Sequence, residues 1–343
     1  MKANVTICCA AMLMLFLSVG CSKTPTGRTE ALNAKAGDVP AKRIEIVATV
    51  GMVADLVREI GGEQVRVTQL MGAAVDPHLY TASRDDVARL MSAEMIFCVG
   101  LMLEGKMNDT LNKLSDSHTI VAVAESLPKS DLIADENHAE AYDPHVWMDI
   151  SLWIKCADTV RKALVKQDPE NQPIYDQRTR VLRRQMQDLH HYGTMVMQTI
   201  PKTKRTLITS HDAFGYFGRA YQLQVEGVQG ISTESEAGLQ RINELVGMIV
   251  DKQVPAVFAE SSVNGKSLQA IMEGVQSKGQ KLRLGGPLFS DAMGSRGTYE
   301  GTYIGMLDHN LTTIAKELGG KPPEKGWHDQ LSFSPQARQE SQE

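Results

Sequence analysis

The sequence predicts an α/β protein of two parallel-sheet lobes joined by one long helix. Two series of short β-branched runs alternate with amphipathic stretches, and a single helical period runs between them. Alternation of strand and helix argues for parallel sheets flanked by helices. A chain of 343 residues is also more than one hydrophobic core usually holds, which favours two lobes.

Taken in order, residues 1–20 read as an export signal: Lys2 gives a positive start, and the stretch 10–17 gives an apolar core too short to span a bilayer. Leu17-Ser18-Val19-Gly20-Cys21 places small residues before a cysteine, as a bacterial lipobox does, which would make Cys21 an acylated N-terminus. Residues 21–43 carry Thr, Ala, Gly and Pro without an apolar period and read as a flexible tether. Removing the signal takes away Lys2 alone, leaving 35 basic against 41 acidic groups and a net charge of −6. Nothing in that balance invites nucleic acid. Of the five cysteines, Cys8 and Cys9 leave with the signal and Cys21 is used by lipid. Cys98 and Cys156 sit in apolar contexts that suit small buried hydrophobes, not a disulfide framework.

Residues 44–167 form the expected N-terminal lobe. Strands are predicted over 44–48, 65–70, 95–99 and 120–123, and helices over 52–60, closed by Gly61-Gly62, and over 87–91 and 103–114. Residues 168–200 are the expected connecting helix. Asp168-Pro169-Glu170 opens it with a capping residue, a proline at the first helical position and acid in the first turn. Leu182, Met186, Leu189 and Val196 then recur at helical spacing, giving a rod about 45 Å long at about 1.5 Å per residue. Residues 201–320 form the C-terminal lobe, with strands over 206–209, 223–228, 256–259 and 281–284 and helices near 213–221, 239–252 and 266–278. A turn is expected at Gly285-Gly286-Pro287, and residues 321–343 read as a loose tail.

The chemistry is carried by histidines at the ends of strands, where α/β proteins place ligands. Asp76-Pro77-His78-Leu79-Tyr80 and Asp143-Pro144-His145-Val146-Trp147 repeat one pattern, D-P-H-x-aromatic. Proline fixes a torsion just before the histidine, and the neighbouring carboxylate could orient the ring through its second nitrogen. Ser210-His211-Asp212 follows directly on an apolar strand, and Phe289-Ser290-Asp291 does the same with a carboxylate. Successive separations are 67, 66 and 80 residues, so only the fold could assemble these groups. Glu260, ending a strand in Phe258-Ala259-Glu260-Ser261-Ser262, is a candidate to support a ligand from behind. His118, His190, His191, His309 and His328 lie in plain amphipathic or polar contexts, and His138 in the acidic loop 131–142 is at most a weak ion collector.

With Asp76-Pro77-His78, Asp143-Pro144-His145-Val146-Trp147, Thr209-Ser210-His211-Asp212-Ala213-Phe214-Gly215-Tyr216-Phe217, Phe258-Ala259-Glu260-Ser261-Ser262, Leu288-Phe289-Ser290-Asp291-Ala292-Met293-Gly294 and Gly301-Thr302-Tyr303 in view, the chain resembles the metal-binding solute-binding lipoproteins of bacterial ABC transporters, the TroA-like zinc and manganese family. The resemblance covers nearly all of the mature chain. It implies two lobes on a helical backbone, one Zn2+ or Mn2+ ion between them held by His78, His145, His211 and Asp291, and delivery to a permease with its ATPase. It also implies an exported monomer, lipid-anchored on the periplasmic or cell-surface side. Histidine at position 211 leans towards zinc, while the single His138 in a loop that is histidine-rich in dedicated zinc members leaves the metal open.

A zinc hydrolase is the rival class, but there is no His-Glu-x-x-His motif, and four protein ligands would close the shell that a catalytic zinc leaves open to water. An adhesin is a third reading, for which the sequence offers no module beyond the two lobes. Because imidazole must be neutral to bind metal, affinity is expected to fall below about pH 6.

Overall fold

The computed structural model describes residues 42–135 and 140–332. The export signal, Cys21, the tether before residue 42, His138 and residues 333–343 lie outside them. The first half runs β1 (Ile44–Ala48), α1 (Gly51–Gly61), β2 (Val65–Gln69), α2 (Arg84–Ser92), β3 (Met95–Cys98), α3 (Asn108–Leu114), β4 (Thr119–Ala122) and α4 (Ile150–Gln167). A 3-10 turn, Pro169–Asn171, leads into α5 (Gln172–Gln198), 27 residues long. The second half runs β5 (Thr206–Thr209), α6 (Gly215–Tyr221), β6 (Gln224–Gly227), α7 (Leu239–Lys252), β7 (Ala256–Glu260), α8 (Lys266–Ser277), β8 (Arg283–Leu288) and α9 (Tyr303–Glu317).

Local chemistry explains where several helices begin and end. Ser83 and Asp86 form a reciprocal capping box at the start of α2, satisfying two N–H groups that the helix itself cannot. Asp149 caps α4 by accepting from the Ser151 N–H at 2.9 Å, and Thr302 caps α9 by accepting from Gly305. Both α4 and α9 are long helices that the strand–helix alternation did not separate out.

Each half is one four-stranded parallel sheet, ordered β2-β1-β3-β4 and β6-β5-β7-β8. The first strand of each lies inside, and the chain then fills one flank before crossing to the other. That reversal makes a topological switch point between β1 and β3 and another between β5 and β7, where α/β sheets open a crevice at their carboxyl ends. Strands β3 and β5 are buried at every residue, which is why both read as continuous apolar runs.

The core does not divide as the lobes do. One buried cluster runs from Ile46 and Phe97 through Trp147, Trp153, Tyr175 and Leu189 to Phe217, Phe258, Tyr303 and Leu311, spanning both sheets and α5. A second, smaller cluster joins Ile208 and Val257 to Leu245, Ile249, Ile271 and Val275 on α7 and α8. Helix α5 packs against α1 and α4 of the first half and α9 of the second, so it acts as a shared wall as well as a link.

Three expectations need correction. The strand predicted over 281–284 with a following turn is instead β8, running through Gly285-Gly286-Pro287 to Leu288. It is an edge strand paired only with β7, and a proline on an edge interrupts no central ladder. The helix predicted from residue 103 starts at Asn108, because Gly100, Leu101 and Met102 all take positive φ (83°, 54° and 66°) and a 3-10 turn, Gly105–Met107, follows. The Glu104 carboxylate holds that bend, accepting from the Val99 and Gly100 N–H groups at 2.7 and 3.2 Å. Third, the tail expected from residue 321 packs on the body as far as residue 332. Leu331 is buried, and the Trp327 N–H donates to Asp308 at 2.9 Å. Burial pushes that carboxyl up to about 6. Cys98 and Cys156 are free and buried, with thiols that burial holds above their ordinary range.

The wall between α5 and α9 depends on Gly193, where a Cβ would lie 2.9 Å from both Leu311 methyls and from the Tyr221 hydroxyl. Gly193→Val is therefore expected to destabilise the fold by roughly 1–3 kcal/mol through overpacking. The measurement is the denaturant midpoint, and an unchanged midpoint would contradict the close approach.

Candidate metal centre

His211 stands two residues beyond β5, and Glu260 is the last residue of β7, so these two meet at the switch point of the second sheet. Asp291 follows β8 by three residues. From the first half, His78 lies in the connection between β2 and α2, and His145 in the connection between β4 and α4, at the mouth of the 3-10 turn Val146–Met148. Each half thus presents two of the four candidate groups to the cleft.

Their donor atoms all lie within 4.8 Å of one another, and all four residues are buried. The His78 and His145 Nε2 atoms are 3.4 Å apart. Asp291 faces all three rings: Oδ2 is 3.5 Å from His78 Nε2 and 3.2 Å from His211 Nε2, and Oδ1 is 3.3 Å from His145 Nε2. Donors bound about 2.0–2.1 Å from one ion at tetrahedral angles would stand roughly 3.3 Å apart. Both Asp291 oxygens and His211 Nε2 are buried without a hydrogen-bond partner among the described residues, an arrangement that costs free energy unless a ligand completes it. The group can hold one divalent ion.

Behind two rings stand carboxylates. Asp143 Oδ1 lies 2.7 Å from His145 Nδ1 and also accepts the His145 N–H at 2.9 Å. Glu260 Oε2 lies 2.5 Å from His211 Nδ1, and its Oε1 accepts the His211 N–H at 2.8 Å. In each case the arrangement turns Nε2 towards the cleft. The first copy of the repeated motif works differently. Asp76 Oδ1 accepts the His78 N–H at 2.9 Å, while Oδ2 accepts from Thr233 Oγ1 at 2.6 Å, a bond that crosses to the second lobe.

Residues already present in the sequence motifs also hold the site, through bonds that sequence spacing does not reveal. Trp147 Nε1 donates to the Ser290 carbonyl at 3.0 Å, and the Tyr303 hydroxyl donates to the Trp147 carbonyl at 2.8 Å, tying the His145 and Asp291 segments together. The Tyr216 hydroxyl donates to the Asp143 carbonyl at 2.7 Å and accepts from the Ile133 N–H. Gly105 lets the chain pass the His78 carbonyl, which a Cβ there would meet at 2.7 Å. The remaining described histidines stay apart: His118 meets the Met91 carbonyl, His309 the Pro287 carbonyl, and His190 the Tyr221 ring.

The electrostatics divide the three imidazoles. Burial pushes His78 down to about 4, so it is neutral at physiological pH. Burial alone would lower His145 too, but Asp291 and Asp143 outweigh it and hold the ring up at about 9. His211 is likewise held well above its ordinary value by Glu260 and Asp291 against its burial. Asp291 is held well below the usual carboxylate range by His211 and His145, which outweigh its own burial.

Two α/β lobes on a helical wall, with buried imidazoles and a carboxylate closing on one point between them, define a receptor for a single metal ion. The profile of the zinc-uptake complex component A (ZnuA) family, a periplasmic component, matches residues 46–317, and the chain belongs to that family. It is 41% identical to the manganese-binding lipoprotein MntA of Bacillus subtilis (strain 168) over 309 residues, covering 90% of this chain and 97% of that one. It is 43% identical to the zinc-binding protein TroA of Treponema pallidum (strain Nichols) over 293 residues, covering 85% of this chain and 94% of TroA. The solved structure of TroA superposes with a TM-score of 0.78 over 80% of this chain and 99% of that one. The Fe(III)-bound YtgA structure from Chlamydia trachomatis, 28% identical, superposes with a TM-score of 0.74, covering 81% of this chain and 99% of YtgA.

The raised imidazoles move the expected pH window upward from pH 6. With His145 near 9 and His211 also raised, the metal-free site carries protons at pH 7 that an incoming ion must displace. Affinity should therefore rise with pH towards about 9 and fall below it by up to roughly 100-fold per unit, ten for each displaced proton. Titration calorimetry in buffers of differing ionisation enthalpy should find close to two protons released per ion, and a flat affinity from pH 6 to 8 would refute the assignment. Asp143→Asn and Glu260→Gln should each lower affinity roughly 10- to 100-fold and reduce the proton release.

Proposed function

We propose that the chain is the extracytoplasmic solute-binding protein of an ABC transporter, taking one zinc or manganese ion between its lobes and giving it up to the membrane permease. His78, His145, His211 and Asp291 are the ligands in this reading, with Glu260 and Asp143 orienting His211 and His145. The observation that carries it is the set of buried atoms without partners, both Asp291 oxygens and His211 Nε2, turned towards two further imidazoles. Membership of a family of transport components supports delivery as the outcome, since a shell of four protein donors leaves no position for water to be activated. The names of the manganese-binding MntA and the zinc-binding TroA support the choice between those two metals.

In the same reading the protein works as a monomer, exported by residues 1–20 and held at the membrane by acyl chains on Cys21, with 21–43 as its tether. The lipoprotein name of MntA supports the anchor. In this reading the first lobe runs over 44–167, the connecting segment over 168–200 and the second lobe over 201–320, which the run of α5 from Gln172 to Gln198 supports.

The test is elemental analysis and competitive titration of the protein lacking residues 1–21, against zinc and manganese, beside a His211→Ala variant. One tightly held ion per chain, lost in the variant, is the expected result. Comparable affinity for both metals identifies a mixed carrier, and the absence of any stoichiometric metal sinks the reading.

A further inference from the structure

A cavity of about 440 Å³ opens between the lobes, lined by none of the four candidate ligands, and the proposed capture mechanism does not use it. Its walls are the carboxyl end of β2 with the chain that follows, and the segment 293–301 from the second lobe. Three guanidiniums line it: Arg58 from α1, Arg89 from α2 and Arg296 from the second lobe, with no acidic side chain among the described lining residues. This runs against the bulk of a chain whose net charge is −5.

The three cations are unequally compensated. Arg58 is half-buried and makes only two long bonds, at 3.4 and 3.5 Å, to the Gln69 side-chain oxygen. Burial and the charge of Arg296 press its guanidinium downward, against the opposing charge of Asp55. Arg296 is exposed and has no hydrogen-bond or ion-pair partner among the described residues, while Arg89 pairs with Asp86 at 3.1 Å. Like charges gathered in a partly desolvated groove are unfavourable until an anion joins them.

The groove also stands on the segments that carry the ion site. Gln69, which meets Arg58, donates through Nε2 to the Met71 carbonyl at 2.7 Å, at the start of the chain that leads to His78. Arg296 lies five residues beyond Asp291. An occupant of the groove therefore bridges the two segments that bring His78 and Asp291 to the cleft. The groove's placement across both lobes, with Arg89 and Arg296 exposed at the surface, suits a docking partner that reaches both. An inorganic oxyanion is comparable to two or three waters of roughly 30 Å³ each and would leave most of the groove empty. A carboxylate side chain arriving with its backbone would fill it.

We propose that this groove receives an acidic segment of the permease, whose carboxylates pair with Arg58, Arg89 and Arg296 when the loaded protein docks. The proposal rests on the reading of the chain as a protein that delivers its ion to a permease. Pairing of this kind steers encounter and fixes register, and it weakens with salt.

The test uses the metal-loaded protein with its permease and ATPase in proteoliposomes, measuring ion uptake against protein concentration for wild type, Arg89→Gln/Arg296→Gln and Arg296→Glu. The half-saturating concentration should rise roughly tenfold in the variants and lose much of its salt dependence, while metal affinity, measured by chelator competition, stays at the wild-type value. Unchanged half-saturation overturns the proposal. So does a fall in metal affinity matching the loss of uptake, because the arginines would then act on ligand geometry and not on docking. Inorganic phosphate that binds the wild type but not the variants, with uptake unaffected, identifies a small-anion site and also overturns it. Failure of the wild type to bind metal would instead refute the proposed function, so the two failures are distinguishable.

Discussion

Asp291 is a buried carboxylate that receives no hydrogen bond and faces three imidazoles, and the rest of the molecule is arranged around the cost of keeping it there. A lone ionised carboxylate in a protein interior is strongly unfavourable, so its charge must be met inside the cleft. Two carriers of positive charge are available. Without metal, His145 and His211 hold protons because Asp143, Glu260 and Asp291 favour their charged forms. In the proposed reading, one dication would replace those two protons. The exchange leaves the buried charge unchanged, so the site passes between states without either state carrying an unmet ion. His78, pushed down to about 4, contributes a neutral donor in both.

Topology decides where such a charge can sit. The two sheets share one strand order, and each has a crevice at its switch point. In the second sheet that crevice is occupied by His211 and Glu260. In the first it is filled from within the lobe, where the fully buried Glu104 accepts from Thr49 Oγ1 at 2.8 Å and from the Val99 and Gly100 N–H groups. With its own crevice plugged, the first lobe presents His78 and His145, its candidate ligands, from the connections after its two edge strands, β2 and β4. The cleft groups are therefore not related by the likeness of the sheets, although each lobe supplies two.

Much of this was legible in the sequence, for identifiable reasons. Parallel strands covered on both faces read as apolar runs, so β1, β3, β5 and β7 stood out, and α7 begins and ends where its period does. The D-P-H repeat marked His78 and His145 because proline and carboxylate recur at fixed offsets. What escaped was set by side-chain contacts that carry no period. The helix expected from residue 103 is delayed because Glu104 satisfies backbone groups of the preceding bend, which no period records. The tail is held by Asp308, a helical residue whose partner Trp327, 19 residues on, becomes a neighbour only in the fold. The repeat itself hid a difference: one aspartate orients its ring, while the other reaches Thr233 across the cleft, 157 residues away. Thr233 lies in no motif, and its role is visible only once both lobes are in place.

The shared core constrains how the ion can leave. One apolar cluster crosses from the first sheet through α5 to α9, and parting the lobes widely would expose that surface to water at about 25 cal/mol per Å². Wide hinge opening is therefore opposed by the same burial that stabilises the fold. Small movements suffice instead. Metal affinity depends on donor distances held to about 0.2 Å, and the candidate donors here come from two lobes whose polar ties gather around His145, through Tyr216 to Asp143, Trp147 to Ser290 and Tyr303 to Trp147, while the His78 segment is tied across by Asp76 to Thr233. A shift of about 1 Å between the His78 and Asp291 segments would spoil the coordination while leaving the core closed. A stiff receptor can thus hold an ion tightly and still surrender it to a partner that grips both segments at once.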